Sequence, residues 1–196
     1  MRLSVKAEAF ILCPLLIGLI SISDTFVYVV LTDKWCGTIV YIQILSLLYL
    51  FRPLNTVFQK GLLAIGDSAV NLFHEVITSV LTIILMVICV FVFDSILLIA
   101  WSYVFITVIG TSIFASFTKK RFGYKFNEML KDYVPYVLRS IIMGALVFGV
   151  GKLFSTRSIT QLSVQIFVGI VAYILISWIT KCEMFFFALN IIRRKS

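Results

Sequence analysis

Six apolar runs, each close to the length of a bilayer crossing, constrain this chain more than any other feature. They cover residues 10–32, 38–63, 70–92, 95–117, 133–154 and 162–180, and a helix needs ~20 residues to cross the hydrocarbon core. The runs are continuously apolar and lack the alternation of barrel strands, so helices are expected rather than a transmembrane barrel. Composition agrees: 61% of residues are hydrophobic and 13% charged, against about 45–50% and about 25% in soluble domains. The fold class expected is all-α integral membrane, one membrane domain over residues 1–196 with six transmembrane helices. Asp33-Lys34 with Gly37, Gly66-Asp67-Ser68 and Asp94 mark joints between runs. With only Phe93 and Asp94 between them, the third and fourth spans are expected to form a tight hairpin.

Charge gives the orientation. If the N-terminus is cytoplasmic, the inner segments hold Arg2, Lys6, Lys60, Lys119, Lys120, Arg121, Lys125, Lys131, Lys181, Arg193, Arg194 and Lys195, twelve in all. The outer segments hold three, Lys34, Lys152 and Arg157. Basic residues accumulate on the cytoplasmic side of membrane proteins, so the expected topology is N-in and C-in. The net charge of +8 therefore reports topology, and no nucleic-acid motif accompanies it. Trp35, Trp101 and Trp178 fall near span ends, where interfacial anchors sit. Arg2 and Lys6 ahead of residues 10–20 imitate a signal peptide, but apolar character resumes at Phe26 and runs to Leu31, too long for a cleaved leader.

Residues 118–132 form the longest expected cytoplasmic connection. Phe122, Phe126, Met129 and Leu130 recur there at helical spacing among basic residues, which suits an amphipathic helix on the inner leaflet or a basic loop. Residues 181–196 end in a basic tail. Cys13, Cys36, Cys89 and Cys182 are scattered and read as packing residues, with no metal spacing.

The second span carries the most informative chemistry. At 100° per residue, Tyr49, Arg52, Asn55, Thr56 and Gln59 fall within an arc of roughly 120°, so this face is expected to line a cavity. A guanidinium flanked by amides and a phenol suits a phosphate- or sugar-bearing ligand; an Arg that snorkels or packs against a helix end is the other reading. Pro53 adds an expected kink. In the first span, Asp24 is a candidate for binding a coupling ion or proton, or for capping a second half-helix after a break at Pro14. His74 and Glu75 read as interfacial polarity, and Arg139 as a snorkelling side chain. Gly144, Gly149 and Gly151 suit close helix approach. No HExxH, GxSxG, P-loop or Cys/His metal pattern occurs in the sequence, so neither an enzyme nor a cofactor is expected.

Two stretches resemble the C-terminal half of Wzx-type polysaccharide and O-antigen flippases, of the MATE-like multidrug/oligosaccharidyl-lipid/polysaccharide exporter superfamily. They are FILCPLLIGLISISDTFVYVVLTDKW from Phe10 and IQILSLLYLFRPLNTVFQKGLLAIGDS from Ile42. Glu75 after the glycine, and Asp132 with Pro135, fit the same pattern. The family's Gly-Arg-Ser-Asp is replaced here by Gly66-Asp67-Ser68-Ala69. The resemblance implies one lobe of a flippase in the bacterial inner membrane. The lobe would carry undecaprenyl-pyrophosphate-linked oligosaccharide to the outer leaflet for lipopolysaccharide, capsule or exopolysaccharide. It also implies a partner for that lobe, either a missing N-terminal half or a second copy, so the chain is expected to be a C-terminal portion. A multidrug or cation antiporter of the same superfamily and a non-transporting membrane subunit are the alternatives.

Overall fold

In a computed structural model, residues 2–93, 95–122, 126–154, 157–187 and 190 are described, with the side chains of 92, 113–122 and 126 left aside. Every regular element among them is helical. The helices are α1 (Arg2–Phe26), α2 (Thr38–Tyr49), α3 (Arg52–Ala64), α4 (Ser68–Phe93), α5 (Ile96–Phe122), α6 (Phe126–Lys152) and α7 (Ile159–Ile179). A π-helical turn, Val27–Leu31, extends α1, and a 3-10 turn, Asp33–Trp35, follows it.

Five stretches are long and apolar enough to cross a membrane: Arg2–Leu31, Thr38–Ala64, Ser68–Phe91, Asn127–Lys152 and Ile159–Ile179. The sixth expected crossing lies on α5, whose described apolar stretch, Ile96–Ser112, is shorter. Large apolar side chains point outward in numbers no aqueous surface tolerates, Leu72 at 66%, Phe91 at 83% and Phe167 at 68% exposure among them. The chain is a multi-pass all-α membrane protein.

Two compact units share the chain. The first combines Met1–Val5 with Gln43–Asp132. Its core holds Leu54, Val57, Phe58 and Leu62 of α3, with Ile44 and Leu48 of α2 packed on Val104 of α5. Arg2 pairs with Glu128 and, at 3.7 Å, with Asp132. The second unit combines Lys6–Ile42 with Tyr133–Ser196. There Met143, Val147, Ala172 and Tyr173 cluster with Phe10, Ile22 and Ile176. Lys6 binds Glu183 at 2.6 Å.

The three prolines behave differently, for identifiable reasons. Pro53 has no N–H and its ring collides with the carbonyl four residues back, that of Tyr49. The second span accordingly breaks there: α2 ends at Tyr49 and α3 begins at Arg52, with tightened turns at Leu50 and Phe51 between. Pro14 should orphan the carbonyl of Phe10 in the same way, yet α1 runs straight through it. The Tyr173 hydroxyl donates to that carbonyl at 2.9 Å from α7, replacing the missing amide. The half-helix break expected at Pro14 is therefore corrected, and Asp24 lies inside α1 rather than at a cap. Pro135 is likewise carried within α6, which starts at Phe126 and absorbs the described end of the 118–132 connection.

Close approach in the second unit depends on two glycines. A Cβ on Gly144 would lie 2.7 Å from Ile17 Cγ2 and from Ser21 Oγ, and one on Gly151 would lie 2.3 Å from Gln165 Nε2. Gly149 faces open space, so the expectation of close packing there is corrected. Gln161 and Gln165 of α7 donate to the carbonyls of Gly151 and Val147, satisfying groups near the C-terminal end of α6. Arg139 stacks over Tyr136 and donates to Cys182 Sγ at 3.5 Å, in place of simple snorkelling. Residues 118–122 belong to the end of α5, so residues 123–125 of the connection and residues 188, 189 and 191–196 of the basic tail are those that lie outside the described residues.

Candidate functional site

The first unit contains a cavity of about 460 Å³ walled by α3, α4 and α5. Each wall follows from a helical register. Leu54, Val57, Phe58 and Leu62 anchor one face of α3 in the core, which leaves Asn55 and Gln59, one turn apart, on the cavity side. From α4 come His74, Glu75, Thr78, Ser79, Thr82 and Ile83, an i, i+1, i+4, i+5, i+8, i+9 stripe. From α5 come Tyr103, Ile106, Thr107, Gly110 and Thr111 at i, i+3, i+4, i+7, i+8. A stripe of polar groups on membrane-crossing helices is costly in lipid and is found facing a bundle interior or a watery space.

Hydrogen bonds fix the lining. Gln59 Nε2 donates to Glu75 Oε1 at 2.6 Å, joining α3 to α4. His74 Nε2 lies 3.3 Å from the carbonyl oxygen of Gly110; a carbonyl only accepts, so this nitrogen carries the proton. That bond joins α4 to α5. Gly110 eases that approach, because a Cβ would come 3.0 Å from Thr78 Cγ2, a tight contact. Four threonines donate to carbonyls of their own helices: Thr78 to His74, Thr82 to Thr78, Thr107 to Tyr103 and Thr111 to Thr107. With their protons so used, their oxygens offer lone pairs alone. Asn55 Oδ1 is a buried acceptor without a partner among the described residues.

The residues singled out from sequence separate into groups. Asn55 and Gln59 line the cavity; Arg52, Tyr49 and Thr56 are not among its lining residues. Arg52 is exposed at the start of α3, its Cζ 5.4 Å from the centroid of the Tyr49 ring. The Thr56 hydroxyl bonds back to the Arg52 carbonyl. Asp24 belongs to the second unit, its carboxylate 4.0 Å from Arg157 Nη2 with both side chains open. The Arg157 guanidinium in turn covers the Tyr28 ring at 3.7 Å.

His74 and Glu75, read from sequence as interfacial polarity, are lining residues, and the α4 and α5 hydroxyls had no assigned role. The signal that finds them is the repetition of hydroxyls at i, i+4 in two consecutive apolar spans, Thr78 with Thr82 and Thr107 with Thr111.

The chain is similar to the teichuronic acid biosynthesis protein TuaB of Bacillus subtilis (strain 168), with 28% identity over 177 residues. The aligned region is 86% of this chain and 35% of that protein, so the chain spans about a third of its relative's length. No protein-family model matches the chain. No solved structure matches it.

Proposed function

We propose that this chain is part of a transporter that moves a lipid-linked oligosaccharide across the bacterial cytoplasmic membrane, for a surface polysaccharide. The observation that carries the reading is the cavity of α3, α4 and α5: amides, hydroxyls, an imidazole and a carboxylate gathered within spans that are otherwise apolar. Such groups recognise the hydroxyls of sugars, and a site within the bilayer is within reach of a sugar carried on a lipid tail. The similarity to a polysaccharide biosynthesis protein supports the same class of process.

The work is conformational, with no bond made or broken. In the proposed topology α3 ends and α4 begins at the cytoplasmic face. Gln59, Glu75 and Gly110 then lie in the inner half of the membrane, where the lipid-linked glycan is loaded. Arg52, one turn before Asn55, is the group offered to the pyrophosphate, since guanidinium binds phosphate oxygens in a bidentate fork. Tyr49 holds that guanidinium in place by cation–π contact. Alternating access in this class needs a second set of helices against the first, supplied by further chain or by a second copy.

The test is made in the native host. Arg52→Ala, and separately Gln59→Leu, are expected to abolish surface polysaccharide and to accumulate lipid-linked precursor, with the chain present at ordinary abundance. Arg52→Lys retains part of the output. Normal polysaccharide from both Arg52→Ala and Gln59→Leu would overturn the reading. Efflux of cationic drugs that depends on Asp24 would favour an antiporter instead.

A further inference from the structure

The second unit holds a groove of about 590 Å³ lined by α1, α6 and α7. Its walls are apolar, with Leu15 and Leu19 on one side and Ile166, Ile170 and Ile174 on the other. Two polar side chains line it, and the donors of both are spent on backbone carbonyls. The Tyr173 hydroxyl serves Phe10, and the Gln165 amide serves Val147. The remaining oxygen of Gln165 is sealed from the surface. Such a groove offers hydrocarbon contact, which in a bilayer suits a lipid chain.

A cation stands one turn from the end of this groove. Arg139, Met143 and Val147 follow one another at i, i+4 and i+8 on α6, and the last two line the groove. Ring contacts trace the same path. The Arg139 guanidinium lies 5.3 Å from the Tyr136 centroid, Tyr136 meets Phe10 edge-on at 6.5 Å, and Phe10 lies 5.5 Å from Tyr173. Arg139 is half-buried, and its hydrogen bond goes to the sulfur of Cys182, a weak acceptor. Among the described residues no carboxylate pairs with it; the neighbouring Glu183 is held by Lys6. Cys182 lies just past the end of α7 at Ile179, so the guanidinium stands where that helix leaves the apolar layer. In the topology expected from charge this is the cytoplasmic face, whose leaflet carries anionic lipid. A guanidinium with unspent donors at the mouth of a hydrocarbon groove matches a phosphate ester joined to an acyl chain. We infer that the second unit binds one anionic phospholipid, with an acyl chain in the groove and the phosphate on Arg139. The site uses no residue of the α3–α4–α5 cavity and stands whatever that cavity carries.

The experiment uses the full chain in detergent, with lipid binding counted by native mass spectrometry. Phosphatidylglycerol and phosphatidylcholine with the same oleoyl chains are the probes, and undecaprenyl phosphate is the competitor. The wild-type chain is expected to hold one phosphatidylglycerol about tenfold more tightly than phosphatidylcholine, whose ammonium opposes the guanidinium. Arg139→Gln brings that ratio to about twofold or less, and Arg139→Lys keeps part of it. Ile170→Trp, at a lining position that is 56% exposed, fills the groove and weakens both lipids alike. If Arg139→Gln fails to fold, Ile170→Trp decides. Equal retention of the two phospholipids by the wild-type chain overturns the inference. So does a ratio that Arg139→Gln leaves unchanged, or undiminished binding by Ile170→Trp. Displacement of phosphatidylglycerol by equimolar undecaprenyl phosphate also overturns it, and gives the site to the lipid carrier instead.

Discussion

At the scale of single residues, several polar groups in the second unit are placed where a backbone carbonyl would otherwise be left unpaired. Tyr173 is the clearest case. Its hydroxyl serves the Phe10 carbonyl that Pro14 strands, and a stranded buried carbonyl costs about 1–3 kcal/mol. Tyr173→Phe should therefore destabilise the protein by about that much in detergent unfolding. In a Pro14→Ala background the amide returns to the helix and the same substitution should cost less than about half as much. Equal costs in the two backgrounds would show that the hydroxyl does not substitute for the amide. Gly110 has a comparable role in the cavity. Gly110→Ala puts a methyl 3.0 Å from Thr78 Cγ2, and should lower transport by pushing α4 from α5. Thr78→Ser removes the opposing methyl and should restore part of the activity, measured as surface polysaccharide in the same host.

At the scale of elements, the six apolar runs made the helices legible, because a bilayer crossing imposes length and continuity on any sequence. The break in the second span was legible too, since Pro53 acts on its own helix. Pro14 was misread for the converse reason: its compensation comes from a residue 163 positions away, and no local pattern announces it. The cavity was half legible. Asn55 and Gln59 share a face of α3 that its own periodicity defines. Glu75 joins them only because α4 packs beside α3, and Arg52 leaves them because its partner is the Tyr49 ring across the break. Helix packing also makes a testable demand. Gly144→Leu forces α1 from α6 at Ile17 and Ser21 and should cost about 1–3 kcal/mol or more of stability, as overpacked sites do. Gly149→Ala, facing open space, should be near neutral. Equal effects of the two in thermal unfolding would contradict the packing described.

At the scale of the whole molecule, a polar cavity in spans otherwise directed outward to lipid is what links fold to function. The charge bias predicts a side for that cavity. Single cysteines at residues 60 and 181, in a chain with its own cysteines replaced, should react with a membrane-impermeant maleimide only after the cells are opened. One at residue 157 should react in intact cells. The reverse pattern would invert the topology and move the cavity to the outer half of the membrane. The most direct measurement of the central claim is photocrosslinking in native membranes. A lipid-linked oligosaccharide with a diazirine on its first sugar should label peptides of α3, α4 and α5 that carry Asn55, Glu75 or Thr107, and Glu75→Lys should weaken that labelling. Labelling confined to α1, α6 and α7, or spread evenly over lipid-facing residues such as Leu72 and Phe91, would contradict it.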